Sequence, residues 1–217
     1  MHEGKKLVPE MNDIKRKTRC IGITGGVGAG KSAVLEYLKK TTRSRIFIAD
    51  DEAKKLYTPG SPVFSRIVEL AGEDILDAEG GLDRALFSQR LFSDRDLLEK
   101  VNATVHPAVE RMILDAMAFE KAEGKRDFLF IEAALLIECG YDKLLDELWY
   151  VFASEDTRRR RLKETRGYTD EKIDGIFASQ LKEEEYRRNC SRVIDNDADL
   201  EHMRSSVDEI LQGMKIK

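Results

Sequence analysis

Short apolar runs alternate along this chain with stretches in which apolar residues recur at helical spacing. Five such runs have the length of a strand and end at polar or turn-forming residues: 20–24, 45–49, 128–131, 148–152 and 192–195. Apolar strands that are separated by helices are typical of a parallel sheet covered on both faces. The pattern therefore predicts an α/β fold, with a parallel sheet of about five strands and helices on both faces.

The helical stretches carry apolar residues on one side. Such a stripe follows the first strand over 33–40, and another occupies the last stretch over 200–214. The pair His106-Pro107 is interpreted as the opening of a long helix that Gly124 ends, because proline is tolerated in the first turn of a helix. The helix pattern thus agrees with alternating strands and helices.

Two segments are longer than a crossover between parallel strands requires. The stretch of about 51–125 holds three or four predicted helices, and we expect it to form an inserted helical substrate subdomain. An arginine-rich segment of about 154–182 follows the fourth strand and is expected to form a lid. Residues 1–18 are polar and show no sustained period, so they are predicted to be an extension of a single domain over 19–217.

A glycine-rich loop lies between the first strand and the first helix. Residues 25–32 read GGVGAGKS, which fits the phosphate-binding pattern G-x-x-x-x-G-K-[ST] at every constrained position. In this pattern backbone N–H groups surround phosphate oxygens, Lys31 places a positive charge near the transferred group, and Ser32 offers a hydroxyl to Mg²⁺. A glycine-rich turn that contains Lys-Ser by chance is the alternative. The order of strand, loop and helix favours a bound nucleoside triphosphate, since it directs the positive end of a helix dipole at an anion.

Two carboxylates follow strands at the edge of the sheet where ligands of parallel sheets bind. Asp50 comes directly after the second strand and Glu132 after the third. Asp50 is the best candidate to orient a hydroxyl and accept its proton, but it could also hold Mg²⁺ through water or cap a helix that starts at Asp51. Glu132 is similarly ambiguous. His106 is a weaker candidate, because a His-Pro pair at a helix start is more often architectural than catalytic.

An arginine run, 158–161, follows the fourth strand, and Arg166 lies a little further on. A mobile lid that carries arginines could neutralise phosphate charge and exclude water during phosphoryl transfer. Four consecutive helical residues point in four directions, so at most two of these arginines can face one ligand. The alternative for each of them is a place on a solvated helix face.

The composition of the chain argues against some classes of binding partner. The 217 residues include 37 Lys and Arg against 41 Asp and Glu, which gives a net charge of −4. Nucleic-acid binders usually need a basic excess, so we expect no nucleic-acid partner, and no apolar run reaches the length of a membrane span. Three widely separated cysteines indicate reduced thiols in a cytoplasmic protein. We expect a monomer or a small homo-oligomer with small-molecule substrates.

Taken in order, these motifs resemble those of the dephospho-CoA kinase family from about Ile21 to the C-terminus. The resemblance rests on 24–32 (TGGVGAGKS), 49–50 (AD) with Ala53, 80–84 (GGLDR) with Leu86, 105–107 (VHP), 132–136 (EAALL), Gln180 and 193–196 (VIDN). It implies a P-loop kinase that transfers the γ-phosphoryl group of ATP, with Mg²⁺, to the ribose 3′-hydroxyl of dephospho-CoA. Another P-loop kinase of a nucleoside, nucleotide or small metabolite is the alternative. A nucleotide-dependent switch protein is less favoured, because no guanine-reading Asn-Lys-x-Asp element occurs.

The resemblance also implies roles for individual residues. Asp50 matches the proposed catalytic base of the family, Arg161 matches a lid arginine, and these two residues and Lys31 are the implied catalytic residues. Asn196 would lie near the adenine, and Ser32 would bind the metal. The residues implied to bind the ATP phosphates are Gly28, Ala29, Gly30, Lys31, Ser32 and Ala33, and those implied on the substrate side are Asp50, Arg84, His106 and Glu132.

Overall fold

The central feature of the fold is a parallel sheet with strand order β2-β3-β1-β4-β5. In the computed structural model, which describes residues 17–133 and 135–215, these strands are β1 (Arg19–Thr24), β2 (Ser44–Ile48), β3 (Phe128–Glu132), β4 (Glu147–Phe152) and β5 (Arg192–Asp195). Apart from residues 17 and 18, the predicted extension lies outside the described residues. Strand β1 pairs in parallel with β3 on one side and β4 on the other, so the loop after β1 leaves from the middle of the carboxyl edge.

Helices cover both faces of this sheet. The described helices are α1 (Lys31–Thr41), α2 (Ala49–Ala53), α3 (Pro62–Ala71), α4 (Arg84–Ser93), α5 (Arg95–Glu123), α6 (Glu155–Arg166), α7 (Asp170–Ala178), α8 (Glu183–Asn189) and α9 (Leu200–Lys215). Buried residues of α1 and α9 pack on one face, and buried residues of α5 pack on the other. The predicted α/β fold is therefore confirmed. Within the described ranges, no helix combines the length and the apolar character that crossing a membrane requires.

The long helix α5 does not open at His106-Pro107, so that prediction is wrong. It begins at Arg95, where the Asp94 side chain accepts a hydrogen bond from a backbone N–H of the first turn at 3.0 Å. Pro107 lies in the interior of α5, where its missing N–H and its ring normally weaken a helix. Buried apolar residues continue on both sides of this proline: Val101, Val105, Ile113, Ala116 and Met117. Tertiary packing thus outweighs the local signal.

The lid segment also differs in detail from its predicted pattern. The helix capped by Thr169 ends at Ala178, and Leu181 lies in the connection to a separate helix, α8, although its spacing from Ile173, Ile176 and Phe177 predicts a place on the same apolar face. A capping arrangement at Lys182 starts α8, with the Glu185 side chain accepting from the Lys182 N–H at 3.0 Å. Periodicity alone missed this break because the residues of α8 are mostly charged.

Helices α3 and α4 and the first half of α5 share a core of their own. Their buried side chains are Ile67, Ala71, Phe87, Leu97, Val101 and Val105, joined by Ile75 from the turn between α3 and α4. Helix α5 then continues into the core under the sheet through Ile113 and Met117. This arrangement supports our proposal that the stretch of about 51–125 is a helical substrate subdomain.

Candidate functional site

A cavity of about 1150 Å³ opens at the carboxyl edge of the sheet. The loop after β1, the residues that follow β2 and β5, the end of β3, helix α6 and the start of α9 form its walls. The residues singled out from the sequence that line it are Gly28, Gly30, Lys31, Ser32, Ala33, Asp50, Glu132, Arg160, Arg161, Arg166 and Asn196. The chain thus brings most of its candidate residues around one cavity that is large enough for a nucleotide.

The glycine-rich loop is stabilised by a backbone hydrogen bond of its own, from the Ala29 N–H to the Gly26 carbonyl, and by a contact with Asn196, the residue that follows β5. The Ala29 side chain is buried and lines no wall of the cavity. Its carbonyl oxygen accepts a hydrogen bond from Asn196 Nδ2 at 2.7 Å. Asn196 is itself only 3% exposed, so its amide is committed to the loop. The last residue of the loop, Gly30, caps α1 with φ 91°, a left-handed conformation that favours glycine.

We expect Gly30→Ala to disable this loop. A Cβ at Gly30 would collide with Asn196 Nδ2, and the left-handed φ adds backbone strain of about 1–2 kcal/mol. ATP affinity, measured by isothermal titration calorimetry, should fall by at least about tenfold. Gly60 is the matched control, because it has the same φ of 91° but nothing within 4 Å of an added Cβ. An equal loss of affinity in Gly60→Ala would contradict the steric explanation.

Lys31 is the first residue of α1 and reaches back over the loop. Its ammonium group donates to the Gly25 carbonyl at 2.8 Å and lies 3.6 Å from a Glu132 carboxylate oxygen. Both side chains of this ion pair are only 15% exposed. Burial lowers the pKa of Lys31, an effect that the Glu132 charge partly opposes. Burial also raises the pKa of Glu132, with a further upward contribution from Asp50 and an opposing one from Lys31.

The lowered pKa of Lys31 and the raised pKa of Glu132 have the same cause. For each residue, burial disfavours the charged form more than the ion pair favours it. At pH 7 the ionised pair therefore lowers the free energy of unfolding. We expect the double variant Lys31→Met/Glu132→Gln, without nucleotide, to be more stable than the parent by about 1 kcal/mol or more in urea unfolding. A double variant that is less stable than the parent would contradict this account of the pair.

Asp50 is the second residue of α2, which begins at Ala49 with Ile48 in the capping position. The alternative in which Asp50 caps a helix that starts at Asp51 is therefore excluded. The Asp50 carboxylate is exposed, and it lines the large cavity together with Lys31. It also lines a second cavity of about 200 Å³ on the side of the inserted helices. Asp50 thus stands where the two cavities meet.

The second cavity is lined by aromatic, apolar and amide side chains, among them Tyr57, Asn102 and Tyr141. His106 lines it as well, with its Nδ1 3.8 Å from Cys139 Sγ and its carbonyl oxygen accepting from the Tyr141 hydroxyl at 2.9 Å. Arg84, which the resemblance implies on the substrate side, does not line this second cavity. It is exposed at the start of α4 and lies outside the walls of both cavities.

The four arginines of the run 158–161 take separate directions. Arg158 is buried beneath the glycine-rich loop, and Arg159 pairs with Asp170 and Asp174 of α7. Arg160 and Arg161 line the large cavity. The Arg161 guanidinium donates to the Ala29 carbonyl at 3.5 Å and to the Ala198 carbonyl at 3.3 Å, and burial lowers its pKa, helped by the nearby charge of Arg160.

Sequence reasoning missed part of this cavity. Leu200 and Arg204 of α9 line it. Helix α9 follows β5 at the same edge as the glycine-rich loop, so the topology alone could have pointed to its first turn. Leu200 is 55% exposed, which makes it an apolar surface that a base could cover.

Comparisons with known sequences identify the family. The family model described as dephospho-CoA kinase matches residues 19–202. A curated dephospho-CoA kinase of Symbiobacterium thermophilum is 33% identical over 190 residues, which cover 88% of this chain and 79% of the relative. That of Corynebacterium diphtheriae is 35% identical over 178 residues, which cover 82% of this chain and 88% of the relative.

Solved structures show the same fold. A Thermus thermophilus protein superposes with a TM-score of 0.76 at 26% identity, over 91% of this chain and 98% of that one. A dephospho-CoA kinase of Campylobacter jejuni gives a TM-score of 0.67 at 20% identity, over 90% and 96%, which is a likeness of fold. Since the family model spans most of the chain and the relatives match it over most of their length, the chain belongs to the dephospho-CoA kinase family.

Proposed function

We propose that this protein transfers the γ-phosphoryl group of ATP to the ribose 3′-hydroxyl of dephospho-CoA, giving coenzyme A and ADP. The observation that carries the proposal is the position of Asp50 between two cavities. The glycine-rich loop and Lys31 line the larger one, and the inserted helices line the smaller one. A donor and an acceptor that enter from these two sides meet beside one carboxylate.

The donor side is built to bind a triphosphate. The loop N–H groups and the positive end of α1 favour phosphate oxygens, and the Lys31 ammonium adds a full charge. In the free protein this ammonium is satisfied by Gly25 and Glu132. Arrival of a phosphate supplies a second anion to a lysine whose charge burial disfavours.

The donor set also fits Mg²⁺. Ser32 is exposed and lines the cavity with Glu132, so a hydroxyl and a carboxylate lie at one space. Among the described residues no cluster of three or more His, Cys, Asp or Glu side chains could hold a metal by itself. This agrees with magnesium, which in such sites usually takes few protein ligands besides water and phosphate oxygens. When bound, the ion would neutralise charge on the phosphate oxygens.

The transfer itself requires positioning and one proton acceptor. The 3′-oxygen forms a bond to the γ-phosphorus while the bond from that phosphorus to the bridging oxygen of ADP breaks. Asp50 orients the attacking hydroxyl and accepts its proton, which later passes to solvent. Lys31 and Arg161 hold the negative charge of the transferred group and of the leaving ADP.

Water must be excluded because it is a competing acceptor. Arg160 and Arg161 lie on α6, and α7 packs beside it through the pairs of Arg159 with Asp170 and Asp174. We propose that the segment of about 154–182 acts as the lid and covers the phosphates when both substrates are bound.

The function is tested by coupling ADP release to NADH oxidation with different acceptors. The proposal predicts steady turnover with dephospho-CoA and only background rates with water or adenosine. Equal rates with adenosine or with another nucleoside would instead support the alternative, a kinase of a smaller metabolite.

A further inference from the structure

Two side chains of the α6–α8 segment hold the backbone of one residue of the glycine-rich loop, Val27. Arg158 Nε donates to the Val27 carbonyl at 2.9 Å, and Arg158 Nη2 donates to Gln180 Oε1 at 2.6 Å. The same Gln180 oxygen accepts from the Val27 N–H at 3.2 Å. Both backbone polar groups of Val27 are thus bound by the Arg158–Gln180 pair.

Arg158 is an unusual residue for this position. It is only 9% exposed, and within residues 17–133 and 135–215 its guanidinium forms no ion pair with a carboxylate. Its near neighbours are the Val27 carbonyl, the Gln180 amide and the Phe177 ring, whose centroid lies 4.2 Å away. A buried cation with neutral partners is unfavourable in isolation. A buried positive charge beside the glycine-rich loop is compatible with a loop that binds an anion.

The loop leaves space for this guanidinium. A Cβ added at Gly26 would collide with it, so the glycine before Val27 permits the close approach. Gln180 lies in the connection between α7 and α8, and Phe177 belongs to α7. Any movement of α7 relative to the loop must therefore change the contacts of Arg158.

We propose that Arg158 and Gln180 are positioning residues, which fix the backbone of Val27 for phosphate binding and couple the loop to α7. The inference rests on the proposed phosphoryl transfer for its kinetic consequences only. Neither residue contacts the reacting atoms in this role. They act through the loop, in which a displacement of about 1 Å can lower a rate by about 10²-fold.

The test compares Arg158→Met, Arg158→Lys and Gln180→Ala with the parent by hydrogen–deuterium exchange and by kinetics. In Arg158→Met and Gln180→Ala we expect faster exchange in peptides that cover 25–30, with unchanged exchange in α9. We expect Arg158→Met to lower kcat by about 10²-fold while the KM for dephospho-CoA stays within about twofold. Arg158→Lys keeps a donor for Val27 and should recover part of that loss.

Arg187→Met on α8 is the control, because Arg187 is exposed, lies outside the proposed lid and both cavities, and pairs with Glu183 of its own helix at 2.6 Å. Exposed ion pairs of this kind contribute little. Unchanged exchange at 25–30 in Arg158→Met, or an equal loss of kcat in Arg187→Met, would overturn the inference. Faster exchange across the whole chain would also overturn it, since that result indicates a general loss of stability. If the parent shows no turnover with dephospho-CoA, the proposed function fails, whereas exchange in the loop still tests the positioning role.

Discussion

Asp50→Asn should lower kcat by about 10³-fold and leave the dissociation constant for ATP within about twofold of the parent value. The amide keeps the shape of the side chain but cannot accept the proton of the attacking hydroxyl. Asp50 is exposed and caps no helix, so the variant should also unfold at the same urea concentration as the parent. Rapid-quench measurement of the first turnover reports the chemical step directly.

Asp51→Asn is the control for this variant. Asp51 is the next residue in α2, is exposed as well, and pairs with Lys54 at 2.6 Å. We expect kcat of Asp51→Asn within about twofold of the parent value, because an exposed ion pair of this kind contributes little. A large loss of ATP affinity in Asp50→Asn would contradict the role of base and would indicate that Asp50 acts through Mg²⁺.

Lys31→Met has the second large effect. Removing the ammonium group takes away the charge nearest to the glycine-rich loop, and it leaves Glu132 buried without its cation. We expect kcat/KM for ATP to fall by about 10³-fold or more, since phosphoryl transfer depends mainly on charge stabilisation. Steady-state kinetics at varied ATP measure the loss.

Lys39→Met provides the comparison, because Lys39 lies in the last turn of the same helix and is exposed. Its activity should equal that of the parent. Full activity in Lys31→Met would overturn the assignment of the loop as the phosphate site, whatever the outcome at Asp50.

Much of the fold follows from local sequence signals. The five strands are short apolar runs, and the glycine-rich loop has a fixed spacing between Gly25 and Lys31 that depends on backbone geometry. Such signals need no knowledge of distant residues. The continuation of α5 through Pro107 could not be found in this way, because the break signal at Pro107 is local, whereas the burial on both sides of it is tertiary.

The arginine run illustrates a second limit. The positive charge of residues 158–161 indicates that some of them face phosphates. Helix geometry indicates that the four side chains cannot all face the same ligand. Which of them is buried depends on Gln180, 22 positions away from Arg158, and on Val27, 131 positions away. Arg84 shows the reverse case, since the resemblance implies a substrate role and the structure leaves its side chain outside both cavities.

The most direct test of this account is the identity of the product formed from ATP and dephospho-CoA. After incubation with Mg²⁺, ³¹P NMR and mass spectrometry of the purified product should show one added phosphomonoester on the ribose 3′-oxygen, formed in equal amount with ADP. The same experiment with Asp50→Asn should give almost no product in the same time. A phosphate on any other oxygen, or ADP formed without a phosphorylated acceptor, would contradict the account.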